Sequence, residues 1–177
     1  ISKPVALLHN TPKLVDIDSG NGLKHIRTFA AQIAALEPHF DYCVIDAPPT
    51  NCLRAQAALA ACHHVTAVID PDMSARLTMR DMQQIIVHIR RHYNPKLKLT
   101  GILVNRVMNN NPDHRRAIQQ LFEAYADYML PCPIANRAAI PRALEQSLPV
   151  WKLNPKEGRA AAVEVLLNTR HISELIE

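Results

Sequence analysis

Short apolar runs alternate with amphipathic stretches along the chain. Residues 42–45, 65–69 and 99–104 are apolar runs of strand length, and the stretches between them repeat apolar residues every three or four positions, as helices do. This alternation is typical of an α/β fold. We therefore predict one domain over residues 1–177, in three layers, with a mainly parallel sheet of about five strands flanked by helices.

Local signals predict where several elements begin. Asn111–Pro112 and Asn154–Pro155 each place an N-capping asparagine before a proline of the first turn, and Glu157 is expected to complete a capping box. Thr50 or Asn51 is expected to cap an alanine-rich helix over residues 53–61. Further helices are predicted over residues 23–36, 138–146 and 158–167. The last of these is expected either to end at 167 or to extend to 176. Further strands are predicted within residues 4–17 and over 130–134.

Four residues stand at the carboxyl ends of predicted strands, namely Asp46, Asp70, Asn105 and Ile134. Parallel α/β sheets bind ligands at these ends. Asp46 is the clearest candidate, because a buried strand that delivers one aspartate to its tip is how P-loop enzymes hold magnesium, usually through a water. The alternative is a buried strand whose last residue caps the next helix.

Composition narrows the functional classes. The formal charge of +4 and pI near 9.0 permit contact with an anionic polymer without requiring it. Four glycines and three phenylalanines disfavour glycine-rich linkers and aromatic base-stacking platforms. The four cysteines form no C-x-x-C pair and are expected to be reduced in a cytoplasmic protein, with Cys43 in the core. Ile1 is not a natural start, so we expect an upstream segment.

Residues 41–50 resemble the Walker B segment of the ParA/MinD partition ATPases, in which tyrosine-aspartate, an apolar strand and aspartate-x-proline-proline follow one another. Residues 51–61 resemble the alanine-rich helix of that family. Residues 101–106 are similar to the strand that ends near the adenine, and residues 131–137 to the segment that closes over the base. The resemblance covers about residues 41–167 and implies a P-loop NTPase-like fold that is incomplete at its N-terminus.

The resemblance implies a role for each matching residue. Asp46 would orient the magnesium water and serve catalysis, and Asn105 would bind the adenine edge with Arg106 beside it. Pro133 and Ile134 would rim the base pocket. ATP and Mg²⁺ are the implied cofactors of the complete protein.

The phosphate loop of that family, Walker A, has no match in this sequence. Residues 19–24 have a superficially similar order but lack the glycine before Lys24, and His25 replaces the following serine or threonine. The second acidic strand end is missing too, unless Asp16 or Asp18 takes its place. We therefore expect this chain alone not to hydrolyse ATP by the family route.

Arginines on predicted helices suggest a second surface. By resemblance to the ParA branch, Arg115, Arg116, Arg137 and Arg142 would contact DNA phosphates without reading sequence. The general alternative for such arginines is a solvated helix surface.

The resemblance implies three alternative hypotheses. The first is a ParA-type partition ATPase, a homodimer that binds ATP, non-specific DNA and a ParB-type partner. The second is a non-enzymatic ParA-like interaction module that has lost nucleotide binding. The third, a membrane-bound MinD-like protein, needs a basic amphipathic end, whereas residues 171–177 contain two glutamates and no lysine. We therefore expect no membrane attachment.

Overall fold

The computed structural model describes residues 5–7 and 22–177, and the following statements concern those residues. Helices alternate with two parallel strands, and short 3₁₀ turns occupy Glu37–His39, Ala126–Tyr128 and Val150–Lys152. The helices and strands are α1 (Gly22–Ala34), α2 (Leu53–Ala61), β1 (His64–Ile69), α3 (Ala75–His92), β2 (Lys98–Val104), α4 (Pro112–Tyr125), α5 (Ala139–Glu145) and α6 (Pro155–Ile176).

The chain forms two compact units. The first unit consists of residues 1–62 and 89–95, and within it α1 packs on α2. Alanines of α2 allow this close packing, and Ile26 of α1 is almost fully buried. The side-chain amide of Asn94 fixes the end of α2 by donating to the carbonyl oxygen of Cys62 at 2.7 Å and to that of Leu59 at 3.3 Å.

The second unit, residues 63–88 and 96–177, contains the sheet. Strands β1 and β2 run parallel, with Val65 opposite Leu99 and Ile69 opposite Val104. Side chains from both strands form the core with α3 and α4, because each of these elements buries one apolar face. The fully enclosed members include Met79, Ile102 and Leu121. The predicted α/β class with a parallel sheet is confirmed.

The segment after α4 continues the parallel pairing as two isolated bridges, between Ile102 and Met129 and between Val107 and Ala135. The prediction of a strand over residues 130–134 is therefore wrong in detail. Pro131 and Pro133 interrupt it, because proline has no N–H to donate to a ladder.

Gly101 lets this segment lie close to β2. A Cβ at position 101 would lie 2.5 Å from Cδ2 of Leu130, so a side chain here would force the Leu130 side chain to move. Leu130 is buried as a result.

A second core cluster joins α5 to α6 through Ala139, Val150 and Ala161. Asn154 caps α6 as predicted, since its side chain accepts from the backbone N–H of Lys156 at 3.1 Å. Glu157 does not return to the cap, because its carboxylate binds Arg142 at 2.7 Å. Asn111 caps α4 in the predicted way, accepting from the N–H of Asp113 at 2.9 Å.

The predicted strand over residues 42–45 does not form. A strand is held by ladder partners, and no described residue pairs with this segment. Val44 is consequently 93% exposed, and Cys43, predicted to be in the core, is exposed as well. The sheet has two strands within the described ranges, rather than about five.

Two smaller predictions also differ. Cys52 occupies the N-cap position of α2 and makes no side-chain cap, so neither Thr50 nor Asn51 is the cap residue. Most of the predicted strand within residues 4–17 lies outside the described residues. The same is true of Asp16, of Asp18 and of residues 19–21 of the candidate phosphate loop. Gly22, Leu23 and Lys24 of that loop belong to α1.

Across the described ranges, no helix combines the length and apolar character needed to cross a membrane.

Candidate nucleotide site

Asn105 lies at the carboxyl end of β2, where it was predicted. Its backbone N–H donates to the carbonyl oxygen of Ile69 at 2.8 Å, which fixes it beside the end of β1. Its side chain is half-buried, and no hydrogen bond is found between its amide and another described residue. An amide offers a donor and an acceptor together, which suits the edge of a purine base.

Arg106 is held by the protein at the same edge. Its φ of 54° is in the left-handed region, which is uncommon for a residue with a side chain. Its Nε donates to Oδ1 of Asp70 at 3.1 Å, and its Nη2 binds Oδ2. The hydrogen bonds to Asp70 raise the pKa of the Arg106 guanidinium. The arrangement joins the ends of β1 and β2 in a two-point ion pair.

The segment around Ile134 lies next to this edge. The N–H of Ile134 donates to the carbonyl oxygen of Val104 at 2.9 Å, and the N–H of Val107 donates to the carbonyl oxygen of Ile134 at 3.0 Å. Ile134 is buried and Pro133 is exposed. The structure therefore brings Asn105, Arg106, Pro133 and Ile134 to one edge of the sheet in the second unit.

Two polar residues of α6, which the sequence reasoning missed, hold this segment in place. Glu164 is only 9% exposed, and its Oε2 accepts from the N–H of Ala135 at 3.1 Å. Asn168 is 3% exposed, and its amide binds Cys132 at both the carbonyl oxygen, at 2.6 Å, and the N–H, at 3.3 Å. A signal existed, because both residues occupy positions of α6 that its apolar spacing assigns to the core.

Asp46 lies in the first unit. It is exposed and belongs to the stretch after residue 41 that has no regular structure. The described residues contain no group of three or more histidine, cysteine, aspartate or glutamate side chains able to hold a metal ion. A single exposed carboxylate suits contact with a hydrated Mg²⁺ through water, but not direct coordination by the protein alone. Its predicted role stays a prediction.

Each of the four arginines predicted to contact DNA has a partner within the protein. Arg115 donates to the carbonyl oxygen of Asn109 at 3.5 Å, and Arg116 pairs with Asp113 at 3.3 Å. Arg137 binds Glu164 through two nitrogens, the shorter contact being 2.7 Å, and this hydrogen bonding raises the pKa of its guanidinium. Arg142 binds Glu157 at 2.7 Å.

A wide, open groove lies between the start of α5 and the first turns of α6. Arginine and lysine side chains dominate its charge, with one carboxylate among them. Its lining comprises Asn136, Arg137, Ala138, Ala139, Arg142, Pro155, Lys156, Glu157, Arg159 and Ala160. Such a surface favours an anionic ligand.

Comparison with solved structures defines the class of the fold. A Cyanothece McdA solved as an ATP complex has a TM-score of 0.73 at 16% identity, over 86% of this chain and 57% of that one. The cell division ATPase MinD of Pyrococcus furiosus has a TM-score of 0.66 at 20% identity, over 85% of this chain and 59% of that one. The fold is that of the P-loop NTPases.

Comparison of sequences identifies the family. The family described as AAA domain, AAA_31, matches residues 5–99, which is more than half of the chain. Two Escherichia coli proteins named IncC are 30% and 32% identical over 161 and 162 residues. The chain belongs to this family of ParA/MinD-type P-loop ATPases, which confirms the resemblance seen in the sequence. The matches cover 91% of this chain but only 45% and 44% of the IncC proteins, so the chain spans less than half of their length.

Proposed function

We propose that this chain is the base-binding and DNA-binding part of a ParA-type partition ATPase. ATP with Mg²⁺ joins two copies, and the resulting homodimer holds DNA without reading its sequence. The observation that carries the proposal is the arrangement of Asn105 beside Ile134 at the carboxyl edge of the sheet, in a chain of this family. Residues 1–177 act as one domain in this proposal.

The adenine base lies between Asn105 and the rim formed by Pro133 and Ile134. The Asn105 amide binds the polar edge of the base, and the exposed Pro133, next to the backbone of Ile134, covers its face. Asp46 orients a water of the magnesium ion. The McdA structure named above is an ATP complex, which supports ATP as the ligand in this family.

The DNA contacts are made by Arg115, Arg116, Arg137 and Arg142. Arg115 and Arg116 lie on the exposed face of α4, where their present contacts are weak surface interactions that a phosphate can replace. Arg142 lines the basic groove with Lys156 and Arg159. Arg137 is the least available, because a nearly buried carboxylate holds it.

The context is DNA partition in the cytoplasm, with a ParB-type protein as the partner that stimulates hydrolysis. The similarity to IncC, over less than half of its length, supports this context.

The DNA contacts can be tested by measuring the affinity of the full-length protein for a non-specific duplex at several salt concentrations, with ATP and Mg²⁺. Replacing Arg115 and Arg116 by alanine removes two phosphate contacts from each subunit and therefore four from the homodimer. The slope of log affinity against log salt should then fall by about 4, or about 2 for each subunit. Arg170→Ala is the matched control, because Arg170 pairs with Glu174 on α6 outside the proposed surface. Equal slopes for wild type and the double variant would rule out these contacts.

The second candidate is a ParA-like interaction module without nucleotide binding. The observation in its favour is that Asp46, the expected magnesium residue, is exposed and lies in a segment without regular structure. ATP turnover by the full-length protein distinguishes the two candidate functions. An interaction module without nucleotide binding hydrolyses no ATP, even when DNA and the partner protein are present.

A further inference from the structure

We infer that Glu164 and Asn168 are positioning residues that set the base rim, and thereby the affinity for the nucleobase. The inference rests on the proposed function and adds two residues of α6 to it. Both side chains act through the backbone of residues 132–135 and touch no part of the nucleotide themselves.

Proline spacing explains why this segment needs help from a helix. Pro131 and Pro133 lack N–H groups, so the segment forms only isolated bridges to the sheet. Between the prolines, the N–H and carbonyl oxygen of Cys132 are both bound by the amide of Asn168. One side chain thus replaces the two hydrogen bonds that a neighbouring strand would provide.

Glu164 performs the same task one turn earlier on α6. Residues four positions apart lie on one face of a helix, so both side chains reach the same segment. The Glu164 carboxylate accepts from the N–H of Ala135 and binds Arg137, which closes the segment at its far end. The Asn168 amide also donates to the carbonyl oxygen of Glu164 at 2.9 Å, which connects the two residues.

The consequence concerns Ile134, which lies between these two attachments. Its backbone is bound to Val104 and Val107 on one side, while Cys132 and Ala135 are bound to α6 on the other. The rim is therefore fixed from both sides relative to Asn105. Ligand affinity falls when such preorganisation is lost, even if no contact atom is removed.

The test uses the full-length protein with the variants Asn168→Ala and Glu164→Gln. Asn168→Ala removes both bonds to Cys132, whereas Glu164→Gln keeps an acceptor for Ala135 and loses the charge that holds Arg137. Arg170→Gln on the exposed side of the same helix is the control. Affinities are measured for ATP and for inorganic triphosphate, which has no base.

We expect Asn168→Ala to weaken ATP binding about tenfold, as loss of a buried hydrogen bond can, with triphosphate binding unchanged. Glu164→Gln should show a smaller loss of ATP affinity, and Arg170→Gln none. Equal losses for ATP and triphosphate, or unchanged ATP binding in both α6 variants, would overturn the inference.

Amide hydrogen exchange provides a readout that does not depend on nucleotide. Exchange at Cys132 should accelerate in Asn168→Ala, and exchange at Ala135 should accelerate in Glu164→Ala, which removes the acceptor that Glu164→Gln keeps, while the β1–β2 ladder stays protected. Unchanged exchange at both amides would overturn the attachment itself. Accelerated exchange in a protein whose wild type binds no ATP would instead overturn the proposed function, and with it the role in base affinity.

Discussion

Arg106 and Arg137 are both held by carboxylates of the second unit. Arg106 lies against Asp70 and Arg137 against Glu164, each with more than one hydrogen bond. Charge-assisted bonds of this kind fix a flexible side chain in one place. The guanidinium groups therefore stabilise the backbone at the sheet edge, and an incoming anion has to compete with a carboxylate for them.

The cysteines provide a test of local structure. Cys43 is exposed, whereas burial raises the pKa of the Cys62 thiol to about 11. At pH 8 only about one Cys62 in a thousand is a thiolate, the reactive form, so it should react about a hundredfold more slowly than an ordinary free thiol. Labelling with iodoacetamide followed by peptide mass spectrometry measures both rates.

In this experiment Cys43 should be labelled early and Cys62 late, and the Cys62 rate should rise as the pH is raised towards 11. Protection of Cys43 in the folded protein would contradict the exposed, unpaired segment described above. It would restore the buried strand predicted from the sequence.

Residues of the candidate site could be predicted from the sequence only where a strand end or the family resemblance indicates them. Asn105 was predicted from its place after an apolar run, and the structure confirms that place. The partners of Arg106 and Arg137 lie 36 and 27 positions away, and no local pattern connects them. Glu164 and Asn168 interrupt the apolar spacing of α6, a signal that identifies buried polar residues without showing what they bind.

At the level of elements, the packing of the segment 129–135 on β2 depends on Gly101. Gly101→Ala places a methyl group against Leu130 and should destabilise the fold by about 1–3 kcal/mol, as overpacking does. Urea unfolding measures the change. The clash is relieved when Leu130→Ala is added, so the double variant should be less destabilised than the sum of the two single variants. Additive effects would contradict the contact.

Every helix predicted within the described residues forms, whereas of the strands predicted there only those over residues 65–69 and 99–104 do. The helix over residues 53–61 was predicted with the bounds it has. Alanine has the highest helix propensity, and the backbone hydrogen bonds of a helix form within the helix itself. A strand depends on hydrogen bonds to a neighbouring strand that often lies far away in the sequence. The run at residues 42–45 has the composition of a strand but pairs with no described residue, and two prolines interrupt the run at 130–134.

At the level of the whole molecule, the chain belongs to one family and forms two compact units. The second unit contains Asn105, Pro133 and Ile134, and also the four arginines proposed to contact DNA. Asp46 lies in the first unit. The sequence predicted the class of the fold because the order of the apolar runs is a property of the entire chain. The nature of the phosphate site could not be predicted, since no Walker A pattern occurs in these residues.

The central claim is that the protein binds ATP through Asn105, and calorimetry tests it most directly. MgATP is titrated into the full-length protein and into its variants Asn105→Ala and Asn110→Ala. The second variant is a control, because it removes the same type of side chain from the nearby turn. We predict saturable binding by wild type and Asn110→Ala, and a loss of about tenfold or more in Asn105→Ala, whose site loses hydrogen bonds to the base. A folded wild-type protein that binds no ATP, or an Asn105→Ala variant that binds it equally well, would contradict the claim.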